Sequence, residues 1–166
     1  MLQRLTELFR LPDSANEKTS ESDIRRAAAA LLVILMDADG IRQPEEEARL
    51  RANLAARFGL DEERIEALVA EGKSAAAESA DFYAFTSVLK REFEIGERND
   101  FIGMLWEMAY ADGMAHELED NLVWRISELM GVAGRERIHQ RQDAVARLGV
   151  SLRPRPESDE SAPQSR

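Results

Sequence analysis

Two short acidic segments of this chain carry the same residue types at the same spacing. In each, Asp-Gly is followed by a glutamate seven positions after the aspartate, giving Asp39 with Glu46 and Asp112 with Glu119. Asp37 adds a fifth carboxylate to the first segment. Carboxylate oxygens are the ligands that Ca²⁺ and Mg²⁺ prefer, whereas zinc and copper favour nitrogen and sulfur. If the segments converge, the five carboxylates predict a divalent-cation site, because a cation would offset their repulsion.

The first segment partly matches the EF-hand calcium loop. Its pattern Asp-x-Asp-Gly-x5-Glu reproduces the last fixed acidic and glycine positions of that loop. Leu35, however, occupies the position of the loop's first ligand, and Tyr110 replaces an aspartate in the second segment. Neither segment is therefore an EF-hand.

A metal-free interpretation of the same residues remains open and is the simpler one. Gly40 and Gly113 suit left-handed helix C-caps, and Asp39 and Asp112 suit hydrogen bonds within the turn. Glutamates that begin the next helix are stabilised by its macrodipole. On this interpretation, the motif is a helix junction and binds nothing.

Other candidate sites are weaker. Glu136-x-x-His139 has the spacing of a di-iron ligand pair, but such sites need a second copy, so a solvated helix face is the better interpretation. For His116, near the second acidic segment, a surface histidine is the default interpretation, and binding of a metal or a proton is the alternative. The chain contains no cysteine, no phosphate-binding glycine loop and no Ser/His/Asp set. We expect a protein that is not an enzyme.

Composition predicts an all-α protein, because alanine, leucine, glutamate and arginine dominate its 166 residues. The net charge of −10 falls entirely within residues 21–149, which argues against nucleic acid and favours cations or basic protein surfaces. The longest apolar run, residues 27–36, is too short to span a bilayer. Together with the absence of cysteine, this predicts a cytoplasmic protein.

The acidic segments lie at helix junctions of one predicted domain, residues 21–149, with seven to eight helices. Residues 1–20 predict a short amphipathic helix and a polar linker, and residues 150–166 a disordered tail. One helix, capped by Asp61, is expected to fade in the alanine-rich segment from Ser74 to Ala80. Similar helices recur at a shift of 72 or 73 residues. This predicts two pseudo-symmetric repeats, about residues 22–70 and 95–148.

The segments Met36–Glu46 and Leu105–Gly113, with Glu117 and Glu119, resemble the TerB family of tellurite-resistance-associated bacterial proteins. A related domain occurs in some membrane-anchored J-domain co-chaperones. The resemblance covers about residues 22–148. It implies an all-α domain in two related halves and a role in chemical-stress responses through protein complexes near the inner membrane.

The same resemblance implies an acidic patch that binds divalent cations. Carried over by position, the patch comprises Asp39, Glu46, Asp112 and Glu119, with Asp37 as an adjacent extra carboxylate. Tyr110 leaves the second segment with one carboxylate fewer than the first.

Two functions are therefore carried forward. The first is a non-enzymatic stress-response protein with a low-affinity Ca²⁺ or Mg²⁺ site and a partner-binding surface, cytoplasmic or at the inner face of the inner membrane. The second is a metal-free interaction module or co-chaperone-type adaptor, whose acidic face or aromatic groove binds a partner helix. Membrane contact through residues 1–10 is peripheral at most, since so short a helix buries little apolar area.

Overall fold

The computed structural model describes residues 19–79 and 81–150. These residues form seven α-helices and no strand, which confirms the all-α fold. The helices are α1 (Glu21–Met36), α2 (Pro44–Phe58), α3 (Glu62–Glu78), α4 (Phe82–Glu92), α5 (Ile95–Ala109), α6 (Glu117–Leu129) and α7 (Gly134–Leu148). The predicted amphipathic helix and nearly all of the predicted tail lie outside the described residues. Among the described helices, none is long and apolar enough to cross a membrane.

Helix α1 lies at the centre of the fold. Ser20 caps it, accepting a hydrogen bond from the Asp23 amide at 3.1 Å, while the Asp23 carboxylate accepts one from the Ser20 amide at 3.0 Å. Every residue from Ala27 to Val33 is buried. Consecutive burial means that neighbours cover all sides of the helix. Helices α2 to α6 all pack against it.

Helix α3 continues through the alanine-rich segment to Glu78, so the expected fading after Ser74 is wrong. The reason is close packing on α1. A Cβ atom added to Gly72 would lie 2.8 Å from the Cβ of Ala29, and Ala75 is buried. Small residues let the two helix backbones approach, and the buried contact compensates for the weak hydrophobic pattern.

The second half of the chain packs around α5, whose contacts with α7 are extensive. Phe101, Leu105 and Trp106 of α5 are fully buried in the common core. Val150 is also buried and its amide bonds to the Val145 carbonyl, so this first residue of the predicted tail belongs to the domain. Helices α1 and α5 contact each other, and each is followed by one acidic loop.

Candidate functional site

The two Asp-Gly segments have the same local geometry. The Asp39 carboxylate accepts a hydrogen bond from the Ile41 amide at 2.8 Å, and the Asp112 carboxylate accepts one from the Met114 amide at 2.9 Å. The glycine between each pair has a positive φ, 74° in the first loop and 81° in the second. These aspartates therefore make the turn hydrogen bonds that the metal-free interpretation predicts. The prediction that Gly40 and Gly113 are the helix C-caps is wrong, because α1 ends earlier, with Asp37 as its C-cap, and α5 ends with Tyr110. Duplication of the flanking helices remains a prediction.

Two buried glutamates follow these loops. Glu46 is 2% exposed and Glu119 is 1% exposed, each in the first turn of its helix. The Glu46 carboxylate accepts a hydrogen bond from the Gln43 amide at 3.2 Å, which caps α2. Oε2 of Glu119 is buried and has no hydrogen-bond partner in the part of the chain that the structure describes. A buried carboxylate oxygen without a partner is costly, so it calls for an explanation.

The electrostatics of these glutamates connect the two loops. Burial, followed by the charges of Glu46, Asp39 and Asp112, raises the pKa of Glu119 to about 8. Burial also raises the pKa of Glu46; the hydrogen bond from the Gln43 amide opposes this rise, and the charges of Asp39 and Asp112 add to it. The charges of these four groups thus act on one another across the loops. We call Asp39, Glu46, Asp112 and Glu119 the acidic cluster.

The fifth predicted ligand, Asp37, is engaged elsewhere. Its two carboxylate oxygens accept hydrogen bonds from Nε and Nη2 of Arg42, at 2.7 and 2.9 Å. Both side chains are exposed. The structure therefore compensates the charge of Asp37 at the surface, outside the acidic cluster.

His116 lies against the cluster and is not the freely exposed surface residue expected. Its Nε2 is 2.8 Å from Oδ2 of Asp112, and both side chains are largely buried. The charge of His116 lowers the pKa of Glu46, though less than burial raises it. The imidazole of His116 therefore lies in hydrogen-bond contact with a member of the four residues that repel one another.

A buried hydrogen-bond network beside Glu119 was not predicted from the sequence. The Tyr110 hydroxyl donates to Oδ1 of Asp120 at 3.0 Å. Arg141 of α7 donates through Nε to the Tyr110 oxygen at 2.8 Å and through Nη2 to Oδ2 of Asp120 at 2.9 Å. A buried tyrosine hydroxyl generally requires a hydrogen-bond partner. That Arg141 reaches Tyr110 is visible only in the structure, because it depends on how α7 packs on α5.

Aromatic side chains extend this network into the core. The rings of Trp106 and Tyr110 stack at 5.6 Å, and the Arg141 guanidinium lies 5.5 Å from the Trp106 ring. Trp124 packs edge-on against Trp106 at 6.1 Å. Trp106 is fully buried, so it is part of the core and not an open aromatic groove.

The described side chains do not form a closed metal site. Across residues 19–79 and 81–150, no group of three or more histidine, aspartate or glutamate side chains is placed to hold a metal ion. The Glu136 and His139 pair lies on α7 with His139 well exposed, 3.7 Å from Glu136. That geometry matches the solvated helix face expected from the sequence.

Comparisons with known proteins agree with the fold. A family model described as "Tellurite resistance protein TerB" matches residues 25–142. A search of curated proteins finds no match. The crystal structure of a protein of unknown function from Porphyromonas gingivalis W83 superimposes with a TM-score of 0.56 at 19% identity, covering 75% of this chain and 98% of that chain. At this identity the likeness concerns the fold alone.

Proposed function

The chain belongs to the TerB family of tellurite-resistance proteins, and we propose that it is a non-enzymatic stress-response protein whose acidic cluster binds Ca²⁺ or Mg²⁺ at low affinity. It acts through a protein partner. Its place is the cytoplasm, with at most peripheral contact to the inner membrane. The observation that carries the proposal is the buried Oε2 of Glu119, which has no hydrogen-bond partner within residues 19–79 and 81–150, together with the charges of Glu46, Asp39 and Asp112 that act on Glu119.

The oxygen ligands that the acidic cluster offers are suited to a hard divalent cation. All four members of the cluster offer carboxylate oxygen, the ligand type of Ca²⁺ and Mg²⁺. Bound there, the ion would supply positive charge that offsets the repulsion between the glutamates and satisfies Oε2 of Glu119. The side chains must rotate to close on one ion, because they are not grouped for it as they stand. That rearrangement costs free energy and is the reason for expecting low affinity.

Asp37 provides a matched control, because it lies beside Asp39 in the first acidic loop but does not belong to the acidic cluster. Asp37→Asn removes one carboxylate charge that Arg42 already compensates, whereas Asp39→Asn/Asp112→Asn removes two from the cluster. We expect millimolar Ca²⁺ or Mg²⁺ to raise the melting temperature of the wild type and of Asp37→Asn. A ligand at about 100 times its Kd stabilises by about 2.7 kcal/mol. The double variant should not respond.

Thermal melts of the full chain, with and without each cation, test this. An equal response of the wild type and Asp39→Asn/Asp112→Asn would show that the cluster is not the binding site. No response of the wild type to either cation would overturn the metal function.

The second candidate is a metal-free interaction module or co-chaperone-type adaptor that binds a partner helix. It is supported by the hydrogen bonds that Asp39 and Asp112 accept from the Ile41 and Met114 amides, which a helix junction makes without any ion. Calorimetric titration separates the candidates. Heat on addition of Ca²⁺ or Mg²⁺ favours the first, and silence toward both favours the second.

A further inference from the structure

Three exposed apolar side chains lie within two positions of acidic-cluster residues along the chain. Ile41 is 51% exposed, Met114 41% and Leu118 60%. Ile41 and Met114 each follow a cluster aspartate by two residues, and their amides lie 2.8 and 2.9 Å from its carboxylate. Leu118 precedes Glu119 directly. We call Ile41, Met114 and Leu118 the apolar rim.

The rim needs an explanation beyond folding. A single exposed apolar residue is ordinary, but apolar groups that gather at a polar site mark binding surfaces. The other large apolar side chains that the described residues expose lie on different helices, at Tyr83, Ile95 and Ile138. A bare metal ion would make no use of apolar neighbours. The rim therefore indicates an occupant with apolar parts of its own.

We propose that the acidic cluster and the apolar rim form one docking surface for a partner protein segment that presents a lysine or arginine between apolar side chains. This rests on the partner-binding role proposed above and names the surface and the partner's chemistry. The basic group contacts Asp39, which is partly exposed at the cluster, because Asp112 is largely buried and already bonded to His116. Its apolar neighbours cover Ile41 and Met114.

Charge complementarity selects a basic partner. The chain carries a net charge of −10, which repels nucleic acids and anionic lipid surfaces. Among the described residues, Oε2 of the buried Glu119 has no hydrogen-bond partner, and the charges of Asp39 and Asp112 act on Glu119. A cationic side chain held by Asp39 lowers this repulsion, as a metal ion would.

Docking and metal binding exclude each other, because both need the carboxylate of Asp39. A divalent cation that fills the cluster weakens docking, and a docked basic residue weakens cation binding by the same factor. The cluster would then act as a cation-controlled contact surface.

A pentapeptide probe tests the surface on the full chain. Acetyl-Ser-Leu-Lys-Leu-Ser-amide carries one lysine between two leucines. The control peptide has Nε-acetyllysine in place of that lysine and therefore lacks the positive charge. Added to ¹⁵N-labelled protein, the lysine peptide should shift the amide resonances of the rim residues. The acetyllysine peptide should bind at least about tenfold more weakly. Equal shifts with both peptides, or shifts away from the rim, would overturn the proposal.

Rim variants separate this proposal from the metal function. Ile41→Ser/Met114→Ser removes exposed apolar groups and leaves every cluster carboxylate in place, and Tyr83→Ser/Ile95→Ser is the control at distant exposed sites. We expect the rim variant to lose about tenfold in peptide affinity, with the control unchanged. The response of the melting temperature to Ca²⁺ should be the same in both.

Two results would contradict the docking surface while leaving the metal function intact. One is peptide affinity in the rim variant equal to that of the control. The other is Ca²⁺-dependent sedimentation with phosphatidylglycerol vesicles that the rim variant loses, without any peptide binding by the wild type. That result would assign the rim to a membrane.

Discussion

The hydroxyl of Tyr110, at the end of α5, donates a hydrogen bond to the carboxylate of Asp120, 3.0 Å away in the first turn of α6, and so joins the two ends of the second acidic loop. In the first loop the corresponding position is Asp37, whose carboxylate pairs with Arg42 at the surface. The two loops thus share their turns and differ in how they are secured. The second is anchored in the core next to Glu119, and the first is held by an exposed ion pair.

The hydrogen bonds of the Tyr110 hydroxyl predict that removing this hydroxyl lowers the stability of the protein. Tyr110→Phe leaves the ring in place but deprives Asp120 and Arg141 of a buried hydrogen-bond partner. We expect the free energy of unfolding to fall by about 1–3 kcal/mol, measured by urea denaturation. Tyr83→Phe is the control, because Tyr83 is exposed, and it should change stability by less than about 0.5 kcal/mol. Equal effects of the two substitutions would contradict a stabilising network.

Glu119 predicts how stability depends on pH. Its pKa rises from an ordinary 4.5 to about 8 in the folded protein because it is buried beside like charges. Between these values the folded state holds a proton that the unfolded state has released, so the contribution of Glu119 to stability falls as pH rises from about 4.5 to about 8. Glu119→Gln, which cannot ionise, should remove that fall and stabilise the protein by about 1–3 kcal/mol at about pH 8.

Denaturation across this pH range measures the difference between the wild type and Glu119→Gln. Glu117→Gln is the control, since Glu117 lies in the same helical turn and is exposed. It should follow the wild-type pH profile. A profile of Glu119→Gln parallel to that of the wild type would show that Glu119 does not titrate in this range.

Proton release should accompany cation binding. A ligating carboxylate must be ionised, and the raised pKa of Glu119 means that near neutral pH it is largely protonated. Each bound cation should therefore release up to about one proton, and apparent affinity should rise by up to about tenfold per pH unit below pH 8. Calorimetry in buffers with different ionisation enthalpies counts the protons. Binding without proton release would place the ion away from Glu119.

The contact between α1 and α3 predicts an unusual response to alanine. Alanine favours helices over glycine by about 1 kcal/mol, yet a Cβ at Gly72 would lie 2.8 Å from the Cβ of Ala29 and 2.9 Å from its carbonyl carbon. We expect Gly72→Ala to lower the unfolding free energy by about 1–3 kcal/mol. Gly96→Ala, in α5, meets nothing within 4 Å and should be neutral or stabilising. A stabilised Gly72→Ala would mean that the two helices separate at little cost.

Sequence patterns predicted the helices best where the signals are local. Pro44 and Gly59 mark the ends of α2, and Gly149 marks the end of α7, as helix-end preferences predict. The extension of α3 to Glu78 was missed, because it depends on how closely Gly72 approaches Ala29. That distance involves residues far apart in the chain.

By itself, the sequence determined the helical class, the junction turns and the types of the candidate ligands, because caps, turns and periodicity act between near neighbours. The tertiary structure determined which carboxylates lie close enough for their charges to shift one another's pKa values. It separated Asp37 from the acidic cluster, buried Glu119 without a partner and tied Tyr110 to Arg141. Burial and charge interactions depend on which helices meet, and that is a property of the packed core.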